Sequence, residues 1–186
     1  MNTDILYQSG KTIFTANDLR ILWQKENPDA LKSGIKYLVD TNRLIRLRKG
    51  VYTLTRDYDR LELAQKLISP SYISLDTALQ KYGIIFQAND NITSLASYTR
   101  ILNVDGKNYQ YHSVKEEILL NPLGIQKKER YFIATPERAI ADWLYLRGEA
   151  YFDHLKSLDK ELLFQMSRIY GQKSTEERIN KLISTV

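Results

Sequence analysis

The chain has 186 residues, of which 27 are Lys or Arg and 22 are Asp or Glu, giving a net charge of +5. This length suits one domain or two small ones, and the 26% charged and 43% hydrophobic fractions exclude wholesale disorder. The absence of cysteine excludes disulfides and thiolate chemistry, and the two histidines, His112 and His154, are too far apart in sequence to indicate a histidine-rich metal site. Without a membrane-length apolar run or a signal-peptide pattern, we expect a cytoplasmic protein with no membrane partner.

The excess positive charge is concentrated in the first third of the chain. Residues 1–60 carry 11 basic and 7 acidic side chains, whereas residues 61–186 carry 16 and 15. The densest cluster is Arg43-Leu44-Ile45-Arg46-Leu47-Arg48-Lys49. A basic cluster is often no more than a solvated face, so its structural setting decides whether it indicates a binding surface.

The N-terminal part reads as helix, short strand, two helices and a pair of strands. Thr15 is a predicted N-cap with Asp18 three residues on, and Asn27-Pro28 combines a capping side chain with proline at the first helical position. Together these features predict a winged helix-turn-helix domain over residues 1–57. The predicted elements are a helix around Ile5 and Leu6, strand 12–15, a helix from Thr15, a helix from Asn27 to about Thr41, and strands 44–48 and 51–54.

The third predicted helix has a clear inner and outer face. At 100° per residue, one side carries the apolar residues and the other carries polar ones. The tight turn at Lys49-Gly50 then joins two strands, and alternation places Arg46 and Arg48 on the strand face away from the core. The apolar set is Leu31, Ile35, Leu38 and Val39, and the outward set is Asp29, Ser33, Lys36, Tyr37 and Asp40.

The second part alternates strands and helices, which predicts a mixed α+β domain over residues 61–186 with a C-terminal helical extension. The polar segment 55–60 lacks Pro and Gly and is the best candidate boundary, as a short ordered link. Asp105-Gly106 is a two-residue type I′ hairpin signal that places Leu102 opposite Tyr109. The other predicted elements are helix 61–69, extended 72–73, a helix capped by Ser74, strands 92–97 and 131–134, a helix opened by Thr135-Pro136, and helices 160–170 and 175–184.

Three stretches of the sequence together resemble the AbiEi family of antitoxins from bacterial abortive-infection, type IV toxin–antitoxin systems. Among them, Asn42 stands where a glycine is common in the family, and Asn tolerates the left-handed conformation that such a position needs. The stretches are Ile35-Lys36-Tyr37-Leu38-Val39 continuing through Asn42 to the Gly50-Val51-Tyr52 turn, then 72–79 (Tyr-Ile-Ser-Leu-Asp-Thr-Ala-Leu) with Tyr82-Gly83-Ile84-Ile85, and 134–142 (Ala-Thr-Pro-Glu-Arg-Ala-Ile-Ala-Asp).

The resemblance implies a function as well as a fold. Members of that family are autorepressors that bind inverted repeats in promoter DNA upstream of their own operon. They also neutralise a nucleotidyltransferase-like toxin that the adjoining gene encodes. For this chain we therefore expect two partners, double-stranded promoter DNA and a cognate toxin.

The residues themselves support a DNA-binding hypothesis. In a winged helix the exposed side of the second helix of the helix-turn-helix meets base edges, while the wing reaches phosphates. The competing interpretation is a small protein-binding winged helix with ordinary surface lysines. The candidate DNA-binding residues are Lys32, Ser33, Lys36, Tyr37, Arg43, Arg46, Arg48 and Lys49.

The sequence offers little sign of an active site, and we expect no catalytic residue, cofactor or metal. Asp105-Gly106-Lys107 matches half of a nuclease metal motif, but a turn explains it better. The many tyrosines suit either an interface or half-buried strands, so they do not identify the residues that contact a toxin. Two other functions stay open: a stand-alone DNA-binding regulator without a toxin, and a nuclease that uses the second domain.

Overall fold

The computed structural model describes residues 2–86, 90–155 and 158–185 and divides into two compact units, Met1–Leu67 (unit 1) and Ile68–Val186 (unit 2). The described residues form nine α-helices and two β-sheets, so the predicted mixture of helices and strands is confirmed at this level. Across the same residues, every helix is too short or too polar to cross a lipid bilayer.

Unit 1 consists of helices around a three-stranded antiparallel sheet with the strand order β1-β3-β2. Its core is formed by apolar side chains from each of the first three helices and from the sheet. Leu6, Phe14 and Leu19 are completely buried there. The elements are, in chain order, α1 (Asp4–Gln8), β1 (Ile13–Thr15), α2 (Ala16–Leu22), α3 (Pro28–Asp40), β2 (Ile45–Arg48), β3 (Val51–Thr53) and α4 (Arg60–Leu67).

Local capping starts α2 where the sequence predicts it. The Thr15 hydroxyl accepts the backbone N–H of Asp18 at 3.0 Å, and the Asp18 carboxylate accepts the backbone N–H of Thr15 at 2.9 Å. This reciprocal pair is a capping box, which satisfies two N–H groups that the first turn leaves without partners. The same carboxylate also receives Lys11 at 2.7 Å and Lys66 at 3.1 Å, so it joins α2 to α4.

Helix α4, which the sequence analysis assigned to the second domain, groups with unit 1. Glu62 is almost fully buried, and its carboxylate accepts the backbone N–H and the hydroxyl of Thr12 at 2.9 and 2.7 Å. Thr12 in turn accepts the backbone N–H of Asp59 at 2.9 Å. These bonds join residues about fifty positions apart in sequence. Local composition, from which the boundary at 55–60 was predicted, cannot reveal them. The contact boundary lies between Leu67 and Ile68.

Unit 2 contains a six-stranded mixed sheet with the strand order β6-β7-β5-β4-β9-β8. Strands β4 and β9 are parallel, as are β5 and β7, while the other neighbouring pairs are antiparallel. Helices α8 and α9 pack against α7. The elements are β4 (Ser71–Ile73), α5 (Leu75–Lys81), β5 (Ile92–Ala96), β6 (Arg100–Val104), β7 (Lys107–Ser113), α6 (Glu116–Leu119), β8 (Ile125–Lys127), β9 (Phe132–Ala134), α7 (Pro136–Leu146), α8 (Lys160–Ser167), a 3-10 turn (Arg168–Tyr170) and α9 (Lys173–Thr185).

The hairpin prediction in unit 2 is confirmed in its register. Leu102 lies opposite Tyr109, and both turn residues, Asp105 and Gly106, have positive φ. The edge strand β8 and the short helix α6 were not predicted. Each has only three or four residues, too few to show a hydrophobic period.

One predicted cap is wrong. Ser74 stands at the N-cap position of α5, but its hydroxyl makes no capping bond and instead donates to Asp142 at 2.7 Å. A buried carboxylate sixty-eight positions away therefore takes the hydroxyl that the local pattern assigned to a helix start. By contrast, Thr135 caps α7 as predicted, accepting the backbone N–H of Arg138.

Candidate nucleic-acid interface

Helix α3 is placed by its N-cap and by its apolar side. The Asn27 side chain accepts the backbone N–H groups of Asp29 and Ala30 at 2.9 and 3.2 Å, and Pro28 occupies the first helical position. Burial of the apolar side against the unit 1 core fixes the rotation of the helix about its axis. The opposite side faces solvent, and all five predicted outward residues are exposed: Asp29, Ser33, Lys36, Tyr37 and Asp40.

The β2–β3 hairpin stands beside α3 and is held at its tip. Gly50 has φ +82°, a conformation that L side chains adopt only with strain, so the Lys49-Gly50 turn requires glycine there. The Gly50 carbonyl accepts the backbone N–H of Ala16 at 3.0 Å, which ties the turn to the start of α2. The hairpin is thus anchored to the helices.

The two arginines of β2 do not share one environment. Arg46 pairs with Tyr52 and Arg48 pairs with Val51, so the register shifts by one residue between them. Both side chains are exposed, as predicted. Of the two, only Arg46 lines the groove described next.

A groove of about 600 Å³ separates α3 from the β2–β3 hairpin, and we call it the α3 groove. Its floor is apolar and its rim carries four basic side chains, two from the helix and two from the hairpin. The floor is formed by Ala16, Pro28, Leu31, Ile35, Val39 and Tyr52, and the rim by Lys32, Lys36, Asp40, Arg46, Lys49 and Gly50. Half of the predicted site residues therefore meet at one place.

The rim charges are largely uncompensated. Lys36 forms an ion pair with Asp40 one turn further along α3, and both side chains are well exposed. Lys32, Arg46 and Lys49 have no acidic partner among the residues that the structure describes. Three unpaired cations around one groove create a positive potential that attracts anions.

The other four predicted residues lie off the groove. Ser33 and Tyr37 are on the outer face of α3, and Arg48 is on β2 beyond the register shift. Arg43 lines a separate polar cavity that contains residues near the N-terminus, including Asp4. The preceding residue, Asn42, has φ +55°, which confirms that this position needs the left-handed conformation.

A second charged cluster, which the sequence analysis missed, lies buried in unit 2. Arg138 and Asp142 are both completely buried and form an ion pair at 3.1 Å. The Asp142 carboxylate also accepts the hydroxyls of Ser74 at 2.7 Å, Tyr170 at 2.8 Å and Tyr72 at 3.1 Å. The sequence showed these residues only as parts of two separate motifs, and nothing local indicated that the motifs meet.

Every N–H group of Arg138 has an acceptor. Besides Asp142, the guanidinium donates to the Tyr72 hydroxyl at 2.9 Å and to the backbone carbonyls of Ile118 and Leu123 at 2.7 and 2.8 Å. A further, longer bond of 3.4 Å reaches the carbonyl of Asn121. With all five guanidinium donors used, the buried charge is fully hydrogen-bonded.

Burial sets the protonation of this cluster. Burial raises the pKa of the Tyr72 and Tyr170 hydroxyls well above the usual value, and the negative Asp142 acts in the same direction. Burial also raises the pKa of Asp142, while the Arg138 charge and the hydroxyl donors oppose that rise. Both tyrosines therefore remain protonated donors at neutral pH, and the arrangement is suited to holding chain segments together.

The described parts of the chain contain no group of three His, Cys, Asp or Glu side chains that could hold a metal ion. Asp105 and Lys107, half of a nuclease motif in sequence, belong to the β6–β7 hairpin, where Asp105 is a turn residue. The turn interpretation of this motif is therefore confirmed.

Comparison with known proteins shows a similarity to a solved structure. No family model matches the chain, and no curated protein matches it. Among solved structures, the crystal structure of the RV2827C protein from Mycobacterium tuberculosis is similar, with a TM-score of 0.55 over 97% of this chain and 74% of that one. The two sequences are 14% identical, so the similarity is one of fold alone.

Proposed function

We propose that unit 1 is a winged helix-turn-helix that binds double-stranded DNA, and that the chain is an autorepressing antitoxin of the AbiEi kind. The element order of unit 1, α1-β1-α2-α3-β2-β3 with strand order β1-β3-β2, supports the winged-helix assignment. In this arrangement α3 is the recognition helix and the β2–β3 hairpin is the wing.

The observation that carries the DNA half is the α3 groove. Lys32 and Lys36 approach it from the recognition helix, while Arg46 and Lys49 approach it from the wing. Phosphate contacts make up half or more of the hydrogen bonds in protein–DNA complexes, and they come from such exposed basic side chains. If these basic residues were only an ordinary solvated face, there would be no reason for cations from two elements to line the same groove.

The antitoxin half rests on the sequence resemblance. Two of the three family-like motifs lie in unit 2, where Tyr72, Ser74, Arg138 and Asp142 are buried against one another. These residues therefore shape unit 2 and are not available to contact a toxin. We infer that a toxin meets other, exposed residues of unit 2, through packing and hydrogen bonding rather than gross charge.

A salt titration tests DNA binding. The full-length protein is added to a labelled duplex from the region upstream of its own gene, and anisotropy is recorded at several salt concentrations. Arg46→Ala with Lys49→Ala should reduce the slope of log affinity against log salt by roughly 0.9 for each lost phosphate contact. Lys115→Ala with Lys160→Ala, two exposed lysines of unit 2, removes the same charge and should leave the slope unchanged.

Two results would contradict the proposal: no binding to the upstream duplex, or binding that is indifferent to salt. The same titration repeated with Mg²⁺ distinguishes a nuclease from a repressor. Cleavage of the duplex would favour the nuclease.

Co-expression tests the antitoxin half. If the adjoining gene encodes a nucleotidyltransferase-like protein, its expression alone should arrest growth, and the full-length chain should restore it. The Arg46→Ala, Lys49→Ala protein should restore growth equally well while binding the upstream duplex more weakly than the wild type. Growth arrest that persists with the wild-type chain would leave a stand-alone regulator as the better interpretation.

A further inference from the structure

We propose that the α3 groove holds the sugar–phosphate backbone of one DNA strand, which assigns Lys36 to phosphate contact and leaves base reading to Ser33 and Tyr37. This inference rests on the proposed DNA-binding function. It differs from the expectation that the whole exposed side of α3 faces base edges, because it divides that side between two tasks.

Helix geometry separates the two sets of side chains. At about 100° per residue, Lys32 and Lys36 lie roughly 100° and 60° from Ser33 on one side, and Tyr37 lies roughly 40° from it on the other. Consistently, both lysines line the groove, whereas Ser33 and Tyr37 do not. Lys32 and Lys36 therefore lie on the hairpin side of α3, whereas Ser33 and Tyr37 lie on the face opposite the buried apolar residues.

The chemistry of the groove matches a nucleic-acid backbone. Its basic rim suits phosphate oxygens, and its aliphatic floor, which includes Ile35 and Val39, suits the carbon face of deoxyribose. Lysine acts as a mobile point charge and does not impose the planar, paired geometry with which arginine reads guanine. Because lysine can also contact guanine, the position of Lys32 and Lys36 at the groove, rather than their chemistry alone, favours phosphate contact.

The Asp40 carboxylate competes with phosphate for Lys36. Its carboxylate forms an ion pair with Lys36 and lies on the rim of the same groove. A phosphate that binds Lys36 must replace this carboxylate and is repelled by it, so Asp40 weakens binding to every DNA sequence alike. Replacing Asp40 should therefore strengthen specific and non-specific binding by a similar factor.

The outer face of α3 provides hydroxyl groups for base reading. Tyr37 is 60% exposed, so its ring and its hydroxyl are available for contact. Its ring can contact a thymine methyl group, and its hydroxyl can donate or accept at a base edge; the Ser33 hydroxyl can do the same. Contact with DNA would bury the Tyr37 ring, which the free protein exposes on the outer face of α3.

The experiment compares two single variants of the full-length chain on two duplexes. Anisotropy titrations at several salt concentrations use the upstream duplex and a scrambled duplex of the same composition. Lys36→Ala should weaken binding to both duplexes by the same factor and lower the salt slope by about 0.9. Tyr37→Ala should leave the salt slope unchanged and reduce the ratio of upstream to scrambled affinity about 5-fold or more. Asp40→Asn should raise the affinity for both duplexes by a similar factor.

The outcomes are distinct. The division of tasks is overturned if Lys36→Ala lowers the ratio of upstream to scrambled affinity. It is also overturned if Tyr37→Ala leaves that ratio unchanged. In either case the proposal of DNA binding is unaffected. If the wild-type chain binds neither duplex, the proposed function fails and this inference fails with it. Because Lys36 and Tyr37 are exposed, thermal melts of both variants should match the wild type, and this control excludes misfolding.

Discussion

In unit 1, three basic side chains stand around the α3 groove without an acidic partner in the described chain, whereas in unit 2 Arg138 is buried with every N–H group bonded. The first arrangement adds repulsion to the folded state and contributes nothing to packing. The second would be costly if a single partner were missing. Unit 1 thus has a locally positive surface at the α3 groove, whereas the fully bonded Arg138 holds segments of unit 2 together.

The largest effect should come from breaking the buried pair. Arg138→Met leaves the Asp142 carboxylate and the carbonyls of Ile118 and Leu123 without their donor, and should lower the free energy of unfolding by about 3–5 kcal/mol. Tyr170→Phe removes only one hydroxyl donor to Asp142 and should cost about 1.5–3 kcal/mol.

Urea unfolding checks this prediction. The two tryptophans are divided between the units, so a Trp23→Phe background leaves Trp143 fluorescence to report unit 2. An Arg138→Met protein that unfolds at the wild-type urea concentration would show that the pair contributes no stability.

A matched pair of glycines sharpens the picture of unit 2. Gly124 and Gly106 both have φ +72°, but a Cβ on Gly124 would meet Met166 Cε at 2.3 Å and Arg138 Cβ at 2.7 Å, whereas one on Gly106 would meet nothing within 4 Å. Backbone strain is common to both alanine variants, so Gly124→Ala should cost about 1–3 kcal/mol more than Gly106→Ala from overpacking. Equal unfolding midpoints for the two variants would mean that Met166 and Arg138 shift to accommodate the added methyl group without loss of stability.

An intermediate effect is expected at Asp18, where unit 1 does use a compensated charge. Burial acts to raise the pKa of Asp18, but hydrogen bonds from Lys11, Thr15 and Lys66 outweigh it and hold the pKa well below the usual 3.8. Because the folded-state pKa is lowered, this contribution is present above about pH 4 and is lost as the pH falls below it. Asp18→Asn should cost about 1 kcal/mol at pH 7 and little in strong acid.

Unfolding curves for wild type and Asp18→Asn between pH 7 and pH 2 measure this difference, with Trp23 as the reporter in a Trp143→Phe background. The two stabilities should converge as the pH falls. A constant gap down to pH 2 would be inconsistent with the lowered pKa.

The smallest change in stability is expected at the α3 groove. Arg46→Ala with Lys49→Ala removes two exposed charges and should shift the free energy of unfolding by no more than about 0.5 kcal/mol, although it should weaken DNA binding strongly. A calorimetric melt of the free protein checks the first part. A large loss of stability would indicate that these cations support the hairpin, and the contrast between the two units would then be wrong.

Local patterns predicted what local chemistry determines. The Asn27-Pro28 start of α3, the Thr15 capping box and the Leu102–Tyr109 register all depend on residues close in sequence, and all three are present. The exposure of five candidate residues also followed from periodicity: Ser33, Lys36, Tyr37, Arg46 and Arg48. Their convergence did not, because the groove depends on how α3 packs beside the hairpin.

Long-range bonds account for what the sequence did not reveal. Ser74 looks like a cap until Asp142 is placed beside it, and segment 55–60 looks like a linker until Glu62 is placed beside Thr12. In each case a buried carboxylate takes donors from distant parts of the chain. The identity of such partners requires the tertiary structure, since many polar residues could fill either role.

The position of Tyr170 has a consequence for the order in which the chain is made. A ribosome releases the N-terminus first, so Tyr72, Ser74, Arg138 and Asp142 emerge before the last donor to the shared carboxylate, which follows twenty-eight positions after Asp142. Unit 2 of a nascent chain thus stays incomplete until its C-terminal helices are free of the ribosome. We expect products that stop before residue 170 to unfold more readily than the 186-residue chain, because the buried Asp142 carboxylate then lacks one of its donors.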